Sequence, residues 1–260
     1  MNSHLDKSVQ SIVDRCRALL FPDYFAVDGN HWEEHCKECL KNELAQTVAI
    51  CYRSSDKSGN PVAVAESLID SLPSLRRTLD KDVRATYNGD PAAETVAEVI
   101  LCYPGIRAIS SYRIAHFLYT AGVPVLPRLI TELAHSETGI DIHPAATIGE
   151  SFAIDHGTGV GIGETAILGN NVKIYQGVTL GAKSFPLDAE GNPVKGVLRH
   201  PVLEDNVIVY SNATILGRVR IGHDAVIGGN IWVTEDVAPY MKVVQSRKKY
   251  FAKDLEESKS

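Results

Sequence analysis

The residues best suited to proton transfer lie around one histidine in the C-terminal half of the chain. His156 directly follows Asp155, and Asp141 lies fifteen residues upstream of His156. An imidazole has an ordinary pKa of about 6.5 and can accept a proton at neutral pH, while a carboxylate on its other nitrogen would fix the tautomer. We interpret His156 as a general base with Asp141 as its partner. A turn histidine and a capping aspartate are the alternatives, because spacing alone does not bring them into contact.

A second candidate group is the Cys36-x-x-Cys39 motif, which follows His31 and His35. The spacing would suit a zinc or redox site. However, there is no second Cys-x-x-Cys and no βαβ pattern, and the cysteine count is odd. We therefore favour a helix that carries buried thiols, and the sequence predicts no disulfide framework and no metal site.

Composition limits the class of protein. The chain has 260 residues, a formal charge of −6, 44% apolar and 22% charged residues. The acidic balance and the lack of a basic face argue against a nucleic-acid or anionic-membrane partner. There is no apolar run long enough to span a bilayer, and the polar start at Met1–Gln10 lacks a signal-peptide core. We expect a cytoplasmic protein.

The N-terminal half predicts helices. An apolar stripe from Leu5 to Leu20 has helical spacing, and a second helix is expected over Trp32–Arg53. A third should run from Val62 towards Leu79, bent or interrupted at Pro73. Asp90-Pro91 suits the N-cap and first turn of a helix that ends near Cys102. Two further helices are expected over 106–121 and 127–136.

The C-terminal half is a hexad repeat. An aliphatic residue recurs every six positions in three runs, and most of the 20 glycines lie in the same region. A six-residue period fits a flat strand and corner, and three such units close a triangular coil of eighteen residues. The repeated positions are Ile142, Ile148, Ile154 and Val160; Ile162, Leu168, Ile174 and Leu180; and Leu203, Val209, Ile215, Ile221, Ile227 and Val233.

The repeat is interrupted twice. The register slips by two residues between Ile154 and Ile162, in a stretch that contains His156. Between residues 182 and 201 the chain leaves the coil in a loop that ends at Arg199-His200-Pro201, and such loops often carry function. We therefore divide the chain into a helical region (1–138), a β-helix (139–236) with an extruded loop (182–201), and a C-terminal tail (237–260).

Several segments together resemble serine O-acetyltransferase, a hexapeptide-repeat acyltransferase. The resemblance extends from about Asp90 to Val233. The matching segments are Asp90-Pro91-Ala92, Tyr112-Arg113-Ile114-x-His116, Asp141–Gly149, Asp155-His156-x-Thr158-Gly159, Gly163–Ala166, Gln176–Gly181 and Arg199-His200-Pro201. The resemblance implies an α+β protein in which the helical region precedes a left-handed parallel β-helix.

The resemblance also implies a reaction and its residues. Members transfer acetyl from acetyl-CoA to the hydroxyl of L-serine, in cysteine biosynthesis. His156 falls on the catalytic base and Asp141 on its dyad partner. Asp90 and Asp155 fall on the carboxylates that hold the serine ammonium, and Arg199 and His200 on the groups that hold its carboxylate. These charges suit a zwitterion.

Acetyl-CoA is implied to lie along the prism between two subunits of a homotrimer, which pairs into a dimer of trimers. The corner residues that would line it are Gly181, Ala182, Ser211 and Gly229. Ser211 and Gly229 replace the alanine that is usual in the family. The C-terminal Glu257–Ser260 lacks the terminal isoleucine that many members insert into cysteine synthase, so that association is not expected.

Three alternatives stay open at this point. A hexapeptide acetyltransferase could act on another hydroxyl, such as that of homoserine, a sugar or a xenobiotic. A β-helical zinc hydratase would need three clustered histidines, which His143, His156, His200 and His223 do not provide by spacing. A non-catalytic trimeric scaffold would release no thiol from acetyl-CoA.

Overall fold

The computed structural model describes residues 4–26 and 31–245. Helices occupy the described N-terminal half and short strands the rest. The helices are α1 (His4–Leu20), α2 (Pro22–Phe25), α3 (Trp32–Arg53), α4 (Pro61–Gly89), α5 (Val96–Cys102), α6 (Pro104–Thr120) and α7 (Leu126–Thr138). Among the described residues, no helix is both long enough and apolar enough to cross a bilayer.

The predicted interruption at Pro73 is wrong. Helix α4 is 29 residues long and continues through this proline without a break. Proline in a helix interior costs about 3 kcal/mol because one backbone bond is lost. Leu68, Leu72 and Leu79 are buried on either side of it, and each buried leucine contributes roughly 1.5–3 kcal/mol. Burial outweighs the lost bond, so the helix holds.

The predicted helix start at Asp90 is also wrong. Asp90 follows the end of α4, and its Oδ1 accepts a hydrogen bond from the Ala92 N–H at 2.8 Å. The cap of α5 is Thr95, whose Oγ1 accepts from the Glu98 N–H at 3.1 Å. Thr95 and Glu98 have the spacing of a capping box, a stronger start signal than Asp-Pro. The Asp90 carboxylate therefore does not cap α5.

Fourteen short strands in the described residues wind into a parallel β-helix with three sheets. Each of the first ten strands pairs with the third strand after it, and the twelfth pairs with the fourteenth, so successive coils stack. The first sheet contains β1 (Asp141–Ile142), β4 (Gly161–Ile162), β7 (Thr179–Gly181), β10 (Thr214–Leu216) and β13 (Trp232–Val233). The second contains β2 (Thr147–Ile148), β5 (Ile167–Leu168), β8 (Val202–Leu203) and β11 (Arg220–Ile221). The third contains β3 (Ala153–Asp155), β6 (Lys173–Tyr175), β9 (Ile208–Val209), β12 (Val226–Ile227) and β14 (Lys242–Val243).

The hexad residues form the stacked core of this β-helix. Ile162 lies opposite Leu180, eighteen residues later, as a regular coil requires. Ile142 lies opposite Ile162, twenty residues later, which places the two-residue slip in the first coil. Leu168 lies opposite Leu203, thirty-five residues later, because the intervening loop leaves the prism. These residues are buried, and the predicted fold is confirmed.

The β-helix extends past its predicted end at residue 236. Val226 and Ile227 of β12 pair with Lys242 and Val243 of β14. The predicted tail therefore contributes a strand to the third sheet. Residues 246–260, which contain the rest of that tail, lie outside the described residues.

Helix α6 attaches the helical region to the first coil. Arg113 donates to both oxygens of Asp82, at 2.7 and 3.0 Å, and to the carbonyls of Ile148 and Gly149. Asp82 also accepts from the Phe152 N–H at 2.9 Å and is fully buried. Burial raises the pKa of the Asp82 carboxyl, and the Arg113 guanidinium opposes this shift.

The rest of the Tyr112–His116 motif makes similar contacts. The Tyr112 hydroxyl donates to the Ala146 carbonyl at 2.5 Å, and His116 Nδ1 lies 2.8 Å from the Pro144 carbonyl. At the start of α6, a Cβ on Gly105 would lie 2.5 Å from the Ile154 carbonyl. The motif therefore holds α6 against the first coil, and Gly105 lets the start of α6 approach β3, the strand that precedes His156.

Candidate active site

His156 lies where the third sheet gives way to the first, an edge that we call the His156 edge. Strand β3 ends at Asp155, whose side chain is 15% exposed, whereas that of His156 is 73% exposed. His156 Nε2 lies 3.8 Å from Asp155 Oδ1. The imidazole is thus open to an incoming ligand and has a carboxylate beside it.

His156 lies within the two-residue slip of the first coil and has a left-handed backbone. Its φ is 57°, a left-handed value that costs a non-glycine residue about 1–3 kcal/mol. The next residue, Gly157, has φ 102°, and a Cβ there would lie 2.4 Å from Ile140 Cδ1. Glycine is required at this position because Ile140 is buried beneath it. Backbone strain is therefore stored beside the proposed base, as is common at functional sites.

Asp90 lies at the same edge. Its Oδ2 accepts from the Tyr103 hydroxyl at 2.6 Å. That bond, the bond from the Ala92 N–H, and the charges of Lys173 and His156 together hold the pKa of Asp90 below its usual range. Asp90 in turn raises the pKa of Tyr103 to about 12. Asp90 is therefore an ionised acceptor close to both His156 and Lys173.

Lys173 completes the group at the His156 edge. Its Nζ lies 3.0 Å from Asp155 Oδ2 and donates to the Gly89 carbonyl at 2.7 Å. Gly89 is the last residue of α4 and directly precedes Asp90. Lys173 therefore links the end of a helix that carries one predicted ligand to the strand that carries another.

Arg199 and His200 lie at a different edge, where the first sheet gives way to the second; we call it the Arg199 edge. Arg199 Nη2 lies 2.5 Å from Glu164 Oε2, and its guanidinium carbon lies 6.0 Å from the centre of the Phe185 ring. Phe185 belongs to the extruded loop, which together with Glu164 and Arg199 encloses a cavity of about 870 Å³. The loop therefore shapes the surroundings of Arg199.

His200 is held as a neutral imidazole. Its Nδ1 accepts from the Thr165 N–H at 3.0 Å, and the Thr165 hydroxyl lies 2.9 Å from the same atom. Burial, reinforced by the nearby Arg199 charge, lowers the pKa of His200 to about 4. Because Nδ1 is an acceptor, the proton resides on Nε2. His200 can thus donate one hydrogen bond from Nε2 without carrying charge.

One chain does not bring all the predicted residues together. Asp90, Asp155 and His156 converge at the His156 edge, and Arg199 and His200 at the Arg199 edge. The first sheet separates the two groups.

Asp141, at the start of that first sheet, lies 3.5 Å from Arg128 Nη1. Among the described residues, the ion-pair contact of His156 is with Asp155 and not with Asp141. The predicted dyad is therefore not formed within one chain.

The four residues predicted to line acetyl-CoA also divide between the edges. A Cβ on Gly229 would lie 3.2 Å from the Ser211 carbonyl, so these two stack on the His156 edge. Gly181 ends β7, and Gly181 and Ala182 lie on the Arg199 edge. A Cβ on Gly181 would lie 2.8 Å from Leu216 Cδ2, which favours glycine there.

One cluster has the donor types of a metal site. Ligand atoms of Glu132, His135 and Asp141 lie within 4.8 Å of one another, the only such group in the described residues. Arg128 forms ion pairs with both Glu132 and Asp141. The guanidinium thus supplies one positive charge to this pair of carboxylates.

The cysteines form no such cluster. Cys36 is buried in α3, and burial raises its pKa, while Cys39 Sγ lies 3.6 Å from His35 Nε2. All five cysteines are free thiols.

Three members of the site, Lys173, Tyr103 and Thr165, were not among the residues predicted from the sequence. Lys173 donates to the Gly89 carbonyl, which is far away in the sequence, so no local motif marks it. Tyr103 precedes Pro104, so the sequence indicates a helix end at this residue and not a site residue. Thr165 lies within Gly163–Ala166, and the resemblance of that segment to the family is the sequence feature that could have identified it.

Comparison with known proteins agrees with the hexapeptide-repeat acyltransferase class that the fold and the site define. A serine acetyltransferase of Synechococcus elongatus, described as plasmid-encoded, is 56% identical over 250 residues, covering 89% of this chain and 78% of that protein. No family model matches the chain. The chain belongs to the serine acetyltransferase family.

Solved structures agree. The Entamoeba histolytica serine acetyltransferase isoform 3, in complex with cysteine, is 34% identical with a TM-score of 0.81, covering 98% of this chain and 85% of that one. A serine acetyltransferase in complex with CoA is 27% identical with a TM-score of 0.61, covering 91% of this chain and 95% of that one. The recognition made from sequence motifs is therefore confirmed.

Proposed function

We propose that this chain transfers acetyl from acetyl-CoA to the hydroxyl of L-serine, giving O-acetyl-L-serine and CoA for cysteine biosynthesis. The observation that carries the proposal is the convergence of His156, Asp155 and Asp90 at one edge. An exposed imidazole flanked by two carboxylates suits an acceptor that brings both a hydroxyl and an ammonium group. Membership of the serine acetyltransferase family supports the choice of donor and acceptor.

His156 acts as base and then as acid. Its imidazole takes the proton of the serine hydroxyl as that oxygen attacks the thioester carbon. The new C–O bond forms, the C–S bond breaks, and the imidazolium protonates the departing CoA thiolate. Since all five cysteines precede the β-helix, no thiol of the β-helix forms an acyl-enzyme, and transfer is direct.

Ligands for the two ends of serine come from two edges. Asp90 and Asp155 hold the ammonium, and Arg199 and His200 hold the carboxylate, with the guanidinium and the His200 Nε2–H as donors. Because these groups lie on opposite sides of the first sheet, we propose that the His156 edge of one copy meets the Arg199 edge of its neighbour in a homotrimer. Asp141, on that sheet, then reaches His156 from the neighbouring copy.

Acetyl-CoA lies along the same junction. Ser211 and Gly229 line it from one copy and Gly181 and Ala182 from the other. The small side chains leave room for the pantetheine arm, and the structure of a relative with CoA supports a site for this co-substrate in the family. A dimer of trimers in the cytoplasm completes the proposal.

The test is serine-dependent release of CoA thiol by the purified chain. L-Serine should support release, with homoserine and a galactoside as competing acceptors. If homoserine or the galactoside supported faster release than L-serine, that compound would be the acceptor instead of serine. If no acceptor supported release, an enzymatic role would be contradicted. Light scattering should give a mass of three or six chains, and a monomer would contradict the shared site.

A further inference from the structure

Lys173 places an ammonium group inside the pocket proposed for the ammonium of serine. Its Nζ lies 3.0 Å from Asp155 Oδ2 and contributes, through its charge, to the lowered pKa of Asp90. Both carboxylates assigned to the acceptor therefore face a cation that belongs to the protein itself.

The position of this ammonium is built into the fold. The side chains of Lys173 and Asp155 are only 18% and 15% exposed. Lys173 leaves β6 beside β3, donates to the Gly89 carbonyl at the end of α4, and lies 4.6 Å from the centre of the Tyr175 ring. Contacts with Asp155 and Tyr175 outweigh burial and raise the pKa of Lys173. The lysine is charged and held from several directions.

Charge balance gives this contact a consequence. With Asp90 and Asp155 ionised and Lys173 protonated, the pocket carries a net charge of −1 instead of −2. Asp155 is divided between two partners, since Oδ2 faces the Lys173 ammonium and Oδ1 faces the His156 imidazole. An incoming ammonium must share or displace the Lys173 contact with Asp155.

We propose that Lys173 is a specificity-determining residue, an internal counter-ion that competes with the acceptor ammonium for Asp155 and so weakens acceptor binding. This inference rests on the proposed function, because it takes Asp90 and Asp155 as the ammonium site. It goes further by assigning a role to a residue that the motifs do not contain. Removal of the lysine charge should tighten binding of ligands that carry an ammonium and weaken binding of anions that lack one.

The experiment compares Lys173→Gln with Lys81→Gln. Glutamine keeps donors for Asp155 and Gly89 but removes the charge. Lys81 is the matched control, since together with Lys173 it lines a groove between α4 and the third sheet but pairs with Glu150, outside the proposed pocket. Calorimetry measures the Kd of L-serine and of 3-hydroxypropanoate, which has the hydroxyl and carboxylate but no ammonium.

Opposite shifts for the two ligands are expected. In Lys173→Gln the Kd of L-serine should fall about tenfold, because the lost charge stood a few ångströms from the bound ammonium. The Kd of 3-hydroxypropanoate should rise, while both values in Lys81→Gln stay within about twofold of the wild type. Lys173→Arg should restore the wild-type ratio.

Three results would overturn the proposal. The first is an unchanged ratio of the two Kd values in Lys173→Gln. The second is weaker binding of both ligands, which would indicate a merely structural role. The third is that neither the wild type nor any variant binds L-serine. If Lys173→Gln does not fold, Lys173→Met is measured in its place, with the same expected shifts. Failure of the proposed reaction is seen separately: the wild type would then release no CoA with serine, even if Lys173→Gln tightened serine binding.

Discussion

Thr165 fixes the protonation of His200. The Thr165 backbone N–H donates to His200 Nδ1 at 3.0 Å. The Thr165 hydroxyl oxygen accepts from the backbone N–H of His200, also at 3.0 Å. One residue thus orients both the ring and the backbone of a proposed ligand for the serine carboxylate. Because the ring is buried beside Arg199, its protonated form is disfavoured.

The first prediction follows from the pKa of about 4 at His200. Nitrogen NMR should show a neutral ring with the proton on Nε2 and no titration between pH 5 and 8. A folded-state pKa below the ordinary 6.5 means that the unfolded chain binds more protons between pH 6.5 and 4. The contribution of His200 to the free energy of unfolding should therefore be fully present above pH 6.5 and be lost as the pH falls from 6.5 to 4. A ring that titrates near pH 6.5 would contradict the assignment.

The second prediction concerns the base. His156→Ala should lower kcat by about 10²–10⁴-fold, the usual contribution of a positioned acid–base group, with little change in melting temperature. The side chain is exposed, so its removal leaves no cavity. His135→Ala, another exposed histidine ion-paired with a carboxylate, is the control. Turnover of His156→Ala at the wild-type rate would remove His156 from the mechanism.

The third prediction tests sharing of the site between copies. His156→Ala and Arg199→Ala should each be nearly inactive alone. If a site combines one edge from each of two copies, mixed oligomers contain some sites with both native residues. Refolding the two variants together should restore a measurable fraction of CoA release. If each chain carried a complete site, the mixture would be as inactive as its components.

The fourth prediction concerns Asp90. Asp90→Asn should raise the Kd of L-serine by at least about tenfold, because a carboxylate facing the ammonium is lost. Asp80→Asn, an exposed aspartate on α4, the helix that ends just before Asp90, serves as the control. Tyr103→Phe should raise the pKa of Asp90 towards its ordinary value, since the Tyr103 bond is the main cause of the shift. Serine affinity in Tyr103→Phe should then decline at a higher pH than in the wild type as the solution is acidified.

The fifth prediction separates structural from catalytic residues. Arg113→Met should destabilise the protein by about 3–5 kcal/mol, because it leaves the fully buried Asp82 without its cation. Arg107→Met, on the same helix, breaks a more exposed pair with Glu137 and should cost about 1 kcal/mol or less. Thermal unfolding measures both. Equal losses would show that the Asp82–Arg113 pair does not hold the helical region to the first coil.

The sequence predicted the β-helix well because its core is periodic. Each of Ile142, Leu168 and Ile215 lies in the stack where the six-residue period placed it. The errors at Pro73 and Asp90 have a different origin. A strong local signal was outweighed in one case by burial of neighbouring leucines and in the other by a better cap at Thr95.

The site was predicted less completely than the core. His156 and Asp90 lie in recognisable motifs, whereas Lys173 acts through a contact with Gly89 across 84 residues. Such contacts depend on how coils and helices pack, which a single sequence does not display. The arrangement of Asp141 relative to His156 was likewise beyond reach, since it depends on the path of the first coil.

Leu203 lies opposite Leu168 after thirty-five positions, where a regular coil needs eighteen, and the extra residues of the loop leave the aliphatic stack undisturbed. In a fold where each coil contacts only its neighbours, extra residues at an edge change the surface and not the interior. The edges of this β-helix can therefore gain or lose segments over evolutionary time at little cost to stability. Contacts with an acceptor can therefore change there, while the stack of Ile, Leu and Val residues keeps its packing.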